Sequence, residues 1–203
     1  MLNNFRTAIG VAAVLLGLLA PGTTANADVS QAQAPTGVRS VTTSAELPAG
    51  APPLPVLANA AAPALCMVGH VQDRDWGQWQ CQAPGQSAFA GSVGLGKNLE
   101  ALVVYVSAPD AGSQLCGAAH VRNRGWVQEG CRGAGSAVQY GYTGLNLPLE
   151  AFKLKSSTRK VCLEAHVRNQ GWVGNGCVNP GEWREVGTTG LALPLEAVRG
   201  IVL

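Results

Sequence analysis

The chain has 203 residues with 14 lysines and arginines and 12 aspartates and glutamates, which gives a formal net charge of +2. Its charges form no long runs of one sign, which argues against a nucleic-acid-binding protein, because such a surface needs clustered basic residues. A charged fraction of only 13% together with 26 glycines favours a turn-rich β protein.

Residues 1–27 have the pattern of a secretory signal peptide. Arg6 gives a positively charged start, residues 8–20 are apolar, and Ala25-Asn26-Ala27 provides a small-x-small cleavage site. An apolar stretch of this length is too short to span a bilayer. We therefore expect cleavage after Ala27, a protein that is secreted into the extracellular space or associated with the cell surface, and no membrane span in the mature chain.

Residues 28–63 differ in composition from the rest of the chain. They are rich in proline, alanine, serine and threonine, and they contain few charges and no aromatic residue. Such a segment cannot bury enough apolar surface to offset its conformational entropy. We predict a disordered or semi-extended linker.

Residues 64–203 contain three copies of one unit, at 64–109, 114–157 and 160–203. Each copy carries Cys, His, Trp, Cys and Glu at identical intervals, with a Gly-x-x-Gly motif before the Glu. A unit of about 46 residues cannot form a sufficient core alone, so the three must share one. The repeated residues are Cys66, Cys116 and Cys162; His70, His120 and His166; Trp76, Trp126 and Trp172; Cys81, Cys131 and Cys177; and Glu100, Glu150 and Glu196.

Each unit contains strand patterns and no helix of useful length. In unit two the predicted strands cover residues 118–122, 125–127, 137–140 and 149–155, with glycines marking the turns. Three units of three or four strands predict an all-β, closed pseudo-threefold domain. Short strands and one repeated tryptophan per unit favour a β-prism, and a β-trefoil is the alternative.

The pattern His-Val-x-Asn-x-Gly-Trp, followed by Gly-x-Thr-Gly-Leu and Leu-Glu-Ala, resembles the ChW repeat, the clostridial hydrophobic repeat with a characteristic tryptophan. The resemblance covers all three units. It implies an extracellular, multi-repeat protein that acts in adhesion or binds polysaccharide or cell-surface material. Unit one departs from the pattern at Asp73, Asp75 and Val93, and if ligands use that turn, we expect unit one to bind less well.

The six cysteines occur as two per unit, always fifteen positions apart. An even count at regular spacing in an exported protein implies disulfides. We predict bonds within each unit, each worth about 3 kcal/mol in the chain-entropy model, although bridges between units fit the spacing as well. A zinc site built from Cys-x-x-x-His is the alternative, and an oxidising compartment disfavours it because it removes thiolates. The predicted pairs are Cys66–Cys81, Cys116–Cys131 and Cys162–Cys177.

The three histidines occupy equivalent positions, and three equivalent active sites on one small domain are not expected. We predict that each is structural and pairs with the Glu of its unit, because that Glu shares a strand face with apolar residues and a buried carboxylate needs a partner. In unit two, Glu150 alternates with Phe152 and Leu154. By the same symmetry we expect the three repeated tryptophans to lie in the core.

Six residues are candidates for ligand binding. Trp79 and Trp183 break the repeat, so the fold does not require them, and exposed aromatic rings can stack on sugars. The repeated turn offers Arg122, Asn123, Arg168 and Asn169 as hydrogen-bond donors to hydroxyl groups, although turn formation alone also explains them.

Catalytic and cofactor motifs are missing from the sequence, including Gly-x-Ser-x-Gly, the P-loop and His-Glu-x-x-His. The expected function is therefore a secreted, non-catalytic module without a cofactor or metal that binds polysaccharide or cell-envelope polymer through several weak sites. The alternative is a structural or protein–protein adhesion module of the cell surface without a sugar site.

Overall fold

The computed structural model describes residues 47, 49–54, 64–107, 112–133 and 135–203. Within these ranges the chain forms fourteen β-strands and no helix, which confirms the predicted all-β class. The described part thus holds no helix of the length and hydropathy needed to cross a membrane. The predicted signal peptide and most of the predicted linker lie outside the described residues.

The strands follow the three units in order. Unit one contains β1 (Ala64–Val71), β2 (Asp75–Trp76), β3 (Gln80–Gln82), β4 (Ala88–Gly91) and β5 (Leu99–Ser107). Unit two contains β6 (Gln114–Val121), β7 (Gly125–Gly133), β8 (Ala137–Gly141) and β9 (Leu149–Ser156). Unit three contains β10 (Val161–Val167), β11 (Gly171–Val173), β12 (Cys177–Val178), β13 (Arg184–Gly187) and β14 (Leu195–Val202).

Each unit supplies most of one antiparallel sheet. Its first and last long strands pair with each other, as β1–β5, β6–β9 and β10–β14. The strand or strands after the first turn then pair along the outer edge of the first strand. The hairpin geometry places the two cysteines of a unit directly opposite each other.

A strand from a different unit completes each sheet. In unit one's sheet β8 of unit two pairs with β5, in unit two's sheet β13 of unit three pairs with β9, and in unit three's sheet β4 of unit one pairs with β14. The three donations form a cycle. No unit can therefore complete its own sheet, which is the structural reason why the units occur together.

The core lies on the sheet faces that meet each other, and it departs from exact threefold equivalence. Tyr140 and Phe152 pack with ring centroids 5.3 Å apart. A Cβ on Gly117 would lie 2.5 Å from the Tyr140 ring, so this glycine makes room for the tyrosine. At the equivalent pair of positions unit one places Met67 and Ala90. A larger residue on one strand is thus matched by a smaller one on the other.

Replacing Tyr140 with phenylalanine is expected to stabilise the protein by about 1 kcal/mol. The Tyr140 side chain is fully buried, its hydroxyl has no hydrogen-bond partner among the described residues, and burial raises the pKa of that hydroxyl above its usual value. Urea unfolding of the oxidised protein measures the change. Gly117→Ala is the control and should destabilise, because its Cβ meets the same ring. A loss of stability in Tyr140→Phe would show that the hydroxyl is hydrogen-bonded.

Candidate functional site

The repeated histidines and tryptophans face each other across the first hairpin of each unit. The register pairs His70 with Trp76 and His120 with Trp126, and unit three repeats the pairing with Trp172. The two rings meet edge to face with centroids 5.3 to 5.5 Å apart.

The prediction that these tryptophans lie in the core is wrong. Trp76 and Trp126 are half-buried, and Trp172 is 37% exposed. The residues of the first strand that point inward are those that alternate with the cysteine and the histidine, such as Leu115, Ala119 and Val121. Because side chains alternate along a strand, the histidine and its tryptophan lie on the outer face.

Each repeated glutamate lies in a β-bulge. The register between the first and last strands shifts after the histidine, so that Ala151 lies opposite His120 but Leu149 lies opposite Val121, and Glu150 is the extra residue. The same shift occurs in the other two units. A bulge interrupts the alternation of side chains, so Glu150 does not continue the apolar face predicted from Phe152 and Leu154 but contacts His120.

The bulge brings each buried carboxylate to its histidine. The distance from His Nδ1 to Glu Oε2 is 3.1 Å in unit one, 3.3 Å in unit two and 3.0 Å in unit three. The pairs are His70–Glu100, His120–Glu150 and His166–Glu196. The pairing that the sequence suggested is therefore present in every unit.

Arginine completes the carboxylate site in units two and three. Arg122 Nε donates to Glu150 Oε1 at 2.9 Å, and its Nη2 donates to the carbonyl of Ala192 in unit three at 2.7 Å. Arg168 makes the same pair of contacts, to Glu196 at 3.4 Å and to the carbonyl of Gly96 in unit one at 2.6 Å. These arginines thus join one unit to the next. Only the guanidinium N–H groups that make none of these bonds are left for the predicted role in ligand binding.

Unit one lacks this arginine. Gln72 stands in its place and accepts a hydrogen bond from Asn98 Nδ2 at 2.8 Å. Burial raises the pKa of the Glu100 carboxyl above its usual value, His70 opposes the shift, and the charge of Asp73 adds to it. Burial therefore disfavours the charged form at the carboxylate site of unit one.

The turns after the first strands and the loops before the last strands lie at one end of the molecule. Within each unit the residue after Val71, Val121 or Val167 donates a backbone hydrogen bond to the loop. The two arginines connect the turns of units two and three to the loops of units three and one. We call this surface the loop end. Asn123 and Asn169 lie on its turns with φ of +62° and +65°, a conformation that asparagine tolerates better than most residues.

The loop end exposes one leucine from each unit at the same repeat position. Leu95, Leu145 and Leu191 are 47%, 55% and 59% exposed. An exposed apolar side chain at an equivalent place in three copies is not required by the core, and such residues mark interaction surfaces when they lie together. The sequence analysis did not predict these leucines as binding residues. The available signal was their place after the second glycine of each Gly-x-x-Gly motif, in a turn-rich loop and not in a strand.

The outer face of unit two's sheet combines aromatic rings with cations. The ammonium group of Lys153 lies 4.7 Å from the ring centroid of Trp126 and 4.8 Å from that of Trp183, and Lys155 lies 4.7 Å from the Trp183 ring. Glu129 pairs with Lys153 at 2.8 Å. Trp183, predicted as a ligand residue, is half-buried on this face.

Unit three has a similar outer face with an adjoining cavity. The guanidinium of Arg199 lies 4.3 Å from the ring centroid of Trp172, and Phe89 packs against the same ring at 6.2 Å. Arg199 also pairs with Glu164. A shallow cavity of about 270 Å³ lies beside them. Its lining residues are Ser87, Cys162, Leu163, Glu164, Gly176, Cys177, Arg199 and Ile201.

The outer face of unit one is covered instead. Val103, which stands where the other units have Lys153 and Arg199, is fully buried. Trp79, the other predicted ligand tryptophan, donates its indole N–H to the carbonyl of Pro52 at 2.8 Å. This face is therefore in contact with a segment that precedes the first unit.

The predicted disulfides are confirmed. Cys66–Cys81, Cys116–Cys131 and Cys162–Cys177 are bonded, each closing a separation of 15 residues. The bonds indicate an oxidising, non-cytoplasmic environment. Sulfurs in disulfides cannot serve as thiolate ligands, so the zinc alternative fails. Among the described residues no group of histidine, cysteine, aspartate and glutamate side chains has the arrangement of a metal site.

Comparisons with models of known protein families, with curated proteins and with solved structures found no match to this chain.

Proposed function

We propose that this protein is a secreted, non-catalytic module that binds carbohydrate or cell-envelope polymer through the outer faces of units two and three. The observation that carries the proposal is the surface around Trp172. An exposed indole ring offers a stacking plane for a sugar, and Arg199 connects it to a cavity whose polar groups can reach hydroxyls. The volume lies below the range of drug-sized pockets, which suits one ring of a polymer.

Two such faces on one rigid body favour a polymeric ligand. Each alone offers few contacts, but a polymer that engages one face reaches the second at a high effective concentration. The cyclic exchange of strands supports a closed, prism-like arrangement that would hold the faces in fixed directions. The resemblance to ChW repeats points to the same class of ligand.

The test measures binding of the full, oxidised protein to glycans and to cell-envelope fractions. We expect Trp172→Ala to weaken binding about tenfold, which is about 1.4 kcal/mol, whereas Trp172→Phe keeps most of the affinity because it keeps an aromatic plane. Trp183→Ala should reduce binding to long chains more than binding to short ones. Unchanged affinity in both alanine variants, with intact disulfides, would contradict the proposal.

The exposed leucines favour protein adhesion through the loop end as the second candidate function. In that case Leu145→Ser and Leu191→Ser should abolish binding to cell surfaces, the tryptophan variants should bind normally, and free saccharide should not compete. These two leucines lie outside the tryptophan faces, so the same four variants discriminate the two functions.

A further inference from the structure

The segment before unit one makes specific contacts with that unit's outer face. The carbonyl oxygen of Pro52 accepts the indole N–H of Trp79 at 2.8 Å across 27 residues of sequence. Two residues earlier, the backbone of Gly50 runs beside the edge of Trp76, so that a Cβ on this glycine would lie 3.7 Å from the indole nitrogen. Both tryptophans of unit one therefore contact residues 49–54.

These residues have the form of a proline-rich ligand. Pro52 and Pro53 are consecutive, and residues 51–54 belong to no strand. Proline fixes its backbone near the extended polyproline conformation and leaves carbonyl oxygens free to accept hydrogen bonds. Ala51, Pro52 and Leu54 are half-buried while Pro53 is exposed. Aromatic-lined surfaces recognise proline-rich segments in this manner.

Unit one differs from the other units at the residues of this face. Trp79 replaces Glu129 and Asn175, which occupy the equivalent positions in units two and three. Val68 and Val103 are fully buried, whereas unit three has the charged Glu164 and Arg199 at these positions. A charged side chain at such a covered position would lose its hydration. The sequence of unit one is thus adapted to a covered, apolar face.

We propose that the face of Trp76 and Trp79 is a binding site for extended proline-rich peptides, and that residues 49–54 occupy it as a tethered ligand. Covalent attachment gives the segment a high effective concentration at the site, so a free peptide must displace it before binding. The site is independent of the proposed polymer site, because it uses the outer face of a different unit.

The test uses the full, oxidised protein and a labelled synthetic peptide of residues 47–54. The double variant Pro52→Gly/Pro53→Gly weakens the tethered ligand, and we expect it to bind the peptide at least tenfold more tightly than the parent protein does. Adding Trp79→Phe, which keeps the ring but removes the N–H donor, should reverse most of this gain. Trp183→Phe in the same background is the matched control and should leave peptide affinity unchanged.

A second readout does not depend on the peptide. In the parent protein the indole N–H of Trp79 should exchange with solvent at least tenfold more slowly than in the double proline variant, as measured by NMR. Equal exchange rates, or a double variant that folds with three disulfides and binds the peptide no better than the parent, would overturn the proposal. Glycan binding is measured on the same samples, so failure of one site is distinguishable from failure of the other.

Discussion

Replacing Gly141 with alanine is expected to cost about 4 kcal/mol and to unfold a large part of the protein at physiological temperature. Gly141 has φ of +91° and lies where β8, the third strand of unit two, joins the sheet of unit one. A Cβ there would overlap the carbonyl oxygen of Glu100 and lie 2.8 Å from Leu149 Cδ2. The left-handed conformation costs an alanine about 1–2 kcal/mol, and the overlap in a packed junction adds up to about 3 kcal/mol.

Gly144→Ala is the matched control for this prediction. Gly144 belongs to the same Gly-x-x-Gly motif and has φ of +73°, but a Cβ there would meet nothing within 4 Å. It should therefore cost only the conformational term, about 1–2 kcal/mol. Chemical unfolding of both variants gives the difference, which isolates the contact between units. Equal losses in the two variants would show that the close approach at Gly141 contributes nothing.

Replacing Glu150 with glutamine is expected to cost about 3 kcal/mol at neutral pH, whereas the same change at Glu100 should cost little or stabilise the protein. Glu150 is the acceptor for Arg122 and the partner of His120, and removing one partner of a buried ionic group leaves the others uncompensated. Because Arg122 is partly exposed, solvent screening keeps the expected loss of stability at the lower end of the range that is typical when one partner of a buried ion pair is removed. Among the described residues Glu100 pairs with no arginine, and burial disfavours its charged form.

The two variants should also differ in their dependence on pH. Because the pKa of Glu100 is raised in the folded protein, its contribution to stability is present below the unfolded-state value of 4.5 and is lost as pH rises through the folded-state pKa. Glu100→Gln should thus gain stability relative to the parent protein as pH rises from 4 toward 7. Urea unfolding at several pH values measures this trend. A pH-independent difference for Glu100→Gln would contradict the assignment.

The outward position of the tryptophans shows the limit of pattern reading. Alternation of apolar residues correctly predicts that Phe152 and Leu154 share a face, because the pleat has a period of two. It does not say on which face a repeated aromatic residue lies when the intervening residues are small, as Ala118 and Ala119 are. Both alanines are buried, so the pattern of this strand does not distinguish the inner face from the outer face, and symmetry alone predicts a core position for Trp172.

The bulge at the repeated glutamates could not be predicted from the alternation of apolar residues either. A period of two places Glu150 with Phe152, but one extra residue in the ladder reverses the alternation at that point. The shift is visible only in the register, where Ala151 and Leu149 oppose consecutive residues of β6. The pairing of Glu150 with His120 could be predicted because a buried carboxylate needs a partner, whatever brings the two together.

The sequence by itself determined the all-β class, the three units and the partnership of histidine with glutamate, and it favoured a disulfide within each unit without excluding bridges between units. The first two and the favoured disulfides follow from residue spacing within each unit, whereas the partnership follows because a buried carboxylate needs a partner. Only the tertiary structure decided that each unit completes the sheet of another, that the tryptophans lie outside, and that residues 49–54 cover the face of unit one. Those features depend on contacts between segments far apart in the chain, and no local spacing encodes them.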